Sequence, residues 1–233
     1  MNILITGASK GIGHQLCQKF IEDGKHSIIA ISRTPKAFDK QLASLGNKDN
    51  LSFTYLNLDL CKTNFKENLL PEVVNKLQNI DIIINNAGIL INKPFEKLTD
   101  ADFDDMFNLN VKSVFKLIRD LLPVINKGAH IVNISSMGGL QGSSKFAGLS
   151  LYSASKGALA VLTECLAEEL KDKGISTNAL ALGAVQTEML SAAFPNYNAP
   201  TTASEMADFI FDFALTGNKH FNGKILPVSI STP

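Results

Sequence analysis

The chain has 233 residues, 45% of them hydrophobic and 19% charged, with 22 basic residues balanced by 22 acidic ones. That balance excludes a disordered chain and leaves no net field for nucleic acid or an anionic membrane. The length suits one α/β domain, residues 1–233, around a continuous core.

Met1 runs straight into Ile3-Leu4-Ile5 with no basic segment before it, so no secretory signal is read. The longest stretch without Lys, Arg, Asp or Glu, Gly128 to Ser144, includes His130, Asn133 and Gln141 and is too polar to cross a bilayer. Cys17, Cys61 and Cys165 form no C-x-x-C pair, which suits free thiols in a reducing compartment, and a cytoplasmic location is expected.

Short β-type runs alternate with helical patterns along the chain, the signature of βαβ units and a parallel sheet. Seven strands are predicted: Asn2–Thr6, His26–Ser32, Leu51–Leu58, Ile80–Asn85, Ala129–Ile134, Ile175–Leu182 and Gly223–Val228. Most are continuously apolar, as strands covered on both faces are. The clearest helices are Gly11–Asp23, stopped by Gly24, one capped by Thr99 and running towards Leu122, and Tyr152–Lys173, stopped by Gly174. The expected fold is a single Rossmann-like, doubly wound parallel sheet of about seven strands with helices on both faces. Residues 183–200 show no strand or helix pattern and are read as a substrate loop.

Directly after the first strand comes Thr6-Gly7-Ala8-Ser9-Lys10-Gly11-Ile12-Gly13, opening a helix. Glycines there let the backbone turn tightly and approach a pyrophosphate at the positive end of the helix. At the end of the second strand, where an NAD site usually places a carboxylate, the sequence reads Ser32-Arg33. A guanidinium suits bidentate phosphate binding, and Lys10 is a second cation for the same 2′-phosphate, so NADP(H) is favoured over NAD(H). Asp59, after the third strand, is read either as a partner of the adenine amino group or as a turn former.

Of the three tyrosines, Tyr55, Tyr152 and Tyr197, only Tyr152 has a lysine four positions later, Lys156. On a helix both side chains share one face. A nearby ammonium stabilises phenolate, which would make Tyr152 a general acid/base nearer neutral pH. His14, His26, His130 and His220 show no metal spacing, and no metal is expected.

Together with Asn85-Asn86-Ala87-Gly88, Asn110 and Ile134-Ser135-Ser136, the glycine loop and Tyr152-Ser153-Ala154-Ser155-Lys156 resemble the short-chain dehydrogenase/reductase family over essentially the whole chain. The resemblance implies hydride transfer between NADP(H) and a small carbonyl or secondary alcohol. Tyr152 would be the proton donor or acceptor, Lys156 would bind the nicotinamide ribose, and Ser136 would hold the substrate oxygen. Asn110 would help hold a water leading from Lys156 to solvent. Ser135 and Ser136 would face opposite sides of the strand, and Ser136 is favoured. The cofactor would touch Gly7, Ser9, Lys10, Gly11, Ile12, Gly13, Ser32, Arg33, Asp59, Leu60, Asn86, Ala87, Gly88, Tyr152, Lys156, Gly183, Val185 and Thr187. A homo-oligomer, dimer or tetramer, built on Asn110–Leu122 and Tyr152–Lys173 is also implied.

Two departures from the family stand out. Leu182-Gly183 replaces the usual Pro-Gly and removes a fixed φ, which predicts a less rigid loop. The segment from Ser136 to Tyr152 is longer than usual. Candidate pocket residues are Leu140, Phe146, Leu149, Met189, Phe194 and Tyr197. The alternative reading is a sensor or interaction protein that binds NADP(H) on the same fold without catalysis.

Overall fold

The computed structural model describes residues 1–34 and 52–230. Among these, seven strands form one parallel sheet: β1 (Asn2–Thr6), β2 (Ser27–Ser32), β3 (Phe53–Asn57), β4 (Ile80–Asn85), β5 (Ile125–Ser136), β6 (Ser176–Leu182) and β9 (Ile225–Val228). The order across the sheet is β3-β2-β1-β4-β5-β6-β9, every neighbouring pair parallel. The expected start of the third strand at Leu51 lies outside the described residues.

The strands are apolar on both faces because both faces are covered. Ile3, Ile5, Ile28, Ala30, Ile82 and Ile84 point to one side, where α1 (Gly11–Asp23) and α8 (Ala203–Thr216) pack. Leu4, Ile29, Ile31 and Ile83 point to the other. There they meet α2 (Phe65–Asn68), α3 (Leu70–Leu77), α5 (Ser113–Leu121) and α6 (Ser150–Glu169). The period of two along each strand thus feeds two separate cores.

Local chemistry ends α1 where expected, whereas α6 stops at Glu169, four residues before the expected Lys173, and a short turn continues to Gly174. Gly24 and Gly174 adopt left-handed φ of 70° and 69° at the ends of α1 and of the short turn after α6. Thr99 and Asp102 form a reciprocal capping box on α4 (Asp100–Phe107). The helix expected from Thr99 towards Leu122 is interrupted by a π-helical turn at Asn108–Lys112 before it continues as α5.

β5 begins at Ile125, four residues before its expected start at Ala129. The Asn126-Lys127-Gly128 stretch reads as a turn, yet Ile125 pairs with Ile80, and the register then shifts before Ile82 meets His130. Residues 183–200 are also more ordered than expected. They hold β7 (Val185–Gln186), which pairs with β8 (Thr201–Thr202), and α7 (Glu188–Ala193). Thr187 caps α7 by accepting from Leu190 N at 3.2 Å. Gln186 Oε1 accepts from Ala199 N at 2.8 Å and its amide donates to Ser191 Oγ at 3.0 Å, so side chains pin a loop that lacks the proline.

The chain passes from β3 at the sheet edge to β4 beside β1. The carboxyl ends of β1 and β4 therefore flank the point where winding reverses, the place where open α/β sheets leave a crevice.

Candidate active site

A cleft of about 720 Å³ opens at these carboxyl ends. It runs from the β2 and β3 side, lined by Lys10, Arg33 and Asp59, to the β5 and β6 side, lined by Ser136, Tyr152 and Lys156.

The glycine loop is shaped by contacts that no side chain would permit. Gly7 has φ of +70°, and a Cβ on it would lie 2.8 Å from Ala87 Cα. A Cβ on Gly13 would lie 2.3 Å from the Gly7 carbonyl oxygen and 2.4 Å from Asn86 Nδ2. Gly13 accordingly seats α1 under the loop and does not line the cleft, whereas every other expected cofactor residue does. Asn86 holds the loop from β4. Its Nδ2 donates to the carbonyls of Thr6 (3.1 Å) and Gly7 (3.2 Å), while Thr6 Oγ1 accepts from the backbone N–H groups of Asn86 and Ala87, both at 3.1 Å. The open backbone at the start of α1, with Lys10 and Arg33 exposed on the same side, fits the pyrophosphate and phosphate of a dinucleotide.

Asp59 forms the turn considered for it in sequence. Its Oδ1 accepts from Cys61 N at 3.0 Å, the bond of an Asx turn, and the residue lines the cleft. Ser32 lines the cleft with its hydroxyl paired to that of Tyr55. Thr187 also lines it, but its hydroxyl oxygen is the cap of α7.

The two serines of β5 separate as a strand requires. Ser135 Oγ donates 2.9 Å to the Lys156 carbonyl and locks α6 to β5. Ser136 faces the cleft and is hydrogen-bonded with the Tyr152 hydroxyl. Its Oγ also accepts from Gly138 N at 3.3 Å.

Lys156 is buried, and its Nζ donates 2.7 Å to the Ile134 carbonyl. Burial brings its pKa down to about 8. Tyr152 behaves differently from the sequence expectation. Burial pushes its phenol up, and the opposing influence is the Ser136 hydrogen bond, not the ammonium. Lys156 Nζ lies 5.9 Å from the Tyr152 ring centroid and directs one of its three N–H donors to Ile134.

Asn110 is fully buried in the π-helical turn and does not line the cleft. Its Oδ1 accepts from Ile89 N at 2.8 Å, and its Nδ2 donates to Ile89 O at 3.0 Å and Ser155 Oγ at 2.9 Å. Both ends of the amide tie the strand-following loop to α6, so the side chain positions its neighbours. A Cβ on Gly88 would sit 3.2 Å from Asn110 Oδ1 and 3.4 Å from Lys156 Nζ, which shows how closely these groups converge.

Of the apolar candidates, Phe146, Leu149, Met189, Phe194 and Tyr197 line the cleft and Leu140 does not. Sequence reasoning missed Leu90, Leu109, Met137 and Leu190, which also line it. Leu90 and Met137 each follow a family motif by two residues or fewer, the one signal that marked them. No group of three or more His, Cys, Asp or Glu side chains suited to a metal occurs among the described residues. His130 is instead buried with its ring nitrogens against Ala214 O and Asn178 Nδ2, both at 3.0 Å. No helix among the described residues is long and apolar enough to cross a membrane.

Residues 1–198 match the family model described as short chain dehydrogenase. Nodulation protein G of Azospirillum brasilense is 34% identical over 193 residues, which cover 81% of this chain and 76% of that protein. The 3-oxoacyl-acyl-carrier-protein reductase FabG of Rickettsia felis is 34% identical over 190 residues, 80% of this chain and 73% of its own. Among solved structures, ElxO with NADP bound superposes with a TM-score of 0.80 at 29% identity, covering 98% of this chain and 96% of that one.

Proposed function

The chain belongs to the short-chain dehydrogenase/reductase family of oxidoreductases, and from that premise we propose that it is an NADP(H)-dependent reductase of small carbonyl compounds, or the reverse dehydrogenase, on one domain. The observation that carries the reading is the meeting of Ser136 and Tyr152 in the cleft that also holds the glycine loop. The reductases among its relatives and the NADP in ElxO support it.

The backbone from Ser9 to Ile12 would hold the pyrophosphate, with Lys10 and Arg33 on the 2′-phosphate and Asp59 with Leu60 at the adenine. Gly88, Lys156, Gly183, Val185 and Thr187 would line the nicotinamide half. When bound, NADPH supplies the hydride. Ser136 orients the substrate oxygen by a hydrogen bond, and Tyr152 gives that oxygen its proton as negative charge develops there. Lys156, cationic at neutral pH and fixed by Ile134, binds the ribose hydroxyls beside Tyr152. Asn110 keeps α6 at the correct distance through Ser155, which itself donates 2.8 Å to the Tyr152 carbonyl. The reading includes a homo-oligomer joined through α5 and α6, whose outer faces expose Phe115 and Val161.

Replacing Tyr152 by Phe tests the mechanism. Turnover of ketones, aldehydes and quinones with NADPH is expected to fall by about 1,000-fold or more, with the NADPH dissociation constant within about threefold of the parent. Undiminished turnover would overturn the assignment. A parent protein that binds NADPH but turns over none of these compounds would be a nucleotide sensor instead.

A further inference from the structure

The proposed reductase reading leaves the substrate open, and the charge pattern of the cleft narrows it. Among the described residues, the charged side chains lining the cleft are Lys10, Arg33, Asp59, Lys156 and Glu188. The first three lie on the β1 to β3 side, away from Tyr152. Glu188 opens α7 beside the glycine loop, 3.5 Å from where a Cβ on Gly11 would stand. Lys156 donates to the Ile134 carbonyl and, in the reading above, turns its remaining donors to the nicotinamide ribose.

The remaining walls around Ser136 and Tyr152 are apolar: Leu90, Phe146, Leu149, Met189, Phe194 and the ring of Tyr197. Two lysines stand near this end in sequence, and both are turned elsewhere. Lys93 Nζ binds both carboxylate oxygens of Asp102, at 2.7 and 2.8 Å, and Lys145 Nζ folds back onto the carbonyls of Leu140 and Ser143 and the Ser143 hydroxyl. Neither lines the cleft. The loop containing Asn92 closes this end, its Nδ2 donating 2.9 Å to Ala193 O at the end of α7, with Lys93 N donating 3.1 Å to Gly148 O. An ionised group placed against Leu90, Leu149 and Met189 would lose part of its hydration and find no free cation among the described lining residues there.

We propose that the substrate is an uncharged carbonyl compound with apolar substituents, and that the walls from Leu90 to Phe194 exclude carbonyl compounds bearing an ionised carboxylate near the reacting carbon. The proposal rests on the reductase reading above for its reaction, but on the lining alone for its selectivity.

Matched pairs read the selectivity directly: ethyl 4-oxopentanoate against 4-oxopentanoate, and ethyl 2-oxopropanoate against 2-oxopropanoate. With NADPH, kcat/KM is expected to favour each ester by about 100-fold or more. Met189→Arg, which places a cation on the half-buried first turn of α7, is expected to narrow that ratio by about tenfold or more. Acids used within about tenfold of their esters by the parent protein would overturn the proposal. Equilibrium binding to the Tyr152→Phe protein with NADP+ separates the two readings. Selective binding of the esters there, without turnover by the parent, keeps the selectivity and removes the reductase assignment. Equal binding of ester and acid, or binding of neither, overturns the selectivity itself.

Discussion

Lys156 Nζ donates 2.7 Å to the Ile134 carbonyl, two residues before the serine that meets Tyr152. A single bond therefore sets the lysine against the strand that orients the substrate oxygen. Burial holds this ammonium at a pKa of about 8, well below an ordinary lysine.

The group is charged at pH 7 and loses its proton as pH rises through about 8. If the charge assists ribose binding, the NADPH dissociation constant is expected to rise by about tenfold between pH 7 and pH 9. Lys156→Met is expected to bind weakly at both values with no such step. Fluorescence titration of NADPH across that range decides it; a flat profile in the parent protein would remove Lys156 from the binding site.

Arg33 is exposed at the end of β2 and lines the cleft with Lys10. Replacing it with Ala is expected to weaken NADPH by about 10- to 100-fold, the loss of a charge-assisted phosphate contact, while NADH binding changes little. Equal effects on the two nucleotides would assign the preference elsewhere.

Gly13 has no room for a methyl group, because the nearest atom, 2.3 Å from the added carbon, is the backbone oxygen of Gly7. Gly13→Ala must move α1 or the loop, and a loss of about 1–3 kcal/mol is expected on denaturant unfolding. Nucleotide affinity should fall with it, since Asn86 grips the same carbonyl.

His130 offers a test at acid pH. Burial lowers its pKa, Asn178 Nδ2 faces one ring nitrogen as a donor, and Ala214 O accepts from the other. The unfolded chain binds the proton first as pH drops below about 6.5, so stability present above that value is lost on acidification. Burial shifts His14 and His26 in the same direction. The melting temperature is expected to fall between pH 7.5 and 5.5, and less steeply for His130→Gln, although that variant starts lower.

Much of this architecture was legible in sequence because it rests on local patterns. The continuous apolar strands, the glycine run and the four-residue spacing of Tyr152 and Lys156 each identify their element without reference to distant residues. What escaped was contingent on partners far along the chain. The π-helical turn is invisible because the apolar periodicity continues through it, and its reason, the grip of Asn110 on Ile89, joins residues 21 positions apart. Six-residue α7 is too short to show a helical period, so in sequence Thr187 reads only as a cofactor contact and not as a cap. The direction of the Tyr152 phenol escaped for a related reason: spacing put an ammonium on the same helix face, but it does not show the burial that pushes the phenol up.

The buried amides behind the site have a practical implication. Asn85 donates 2.8 Å to Asn133, and Asn133 donates 2.9 Å to Thr163, so β4, β5 and α6 are cross-linked beneath the cleft. A small-molecule inhibitor will find this floor unyielding. Its selectivity must be won from the roof, where Met189, Phe194 and Tyr197 belong to short segments that Gln186 pins by side-chain hydrogen bonds.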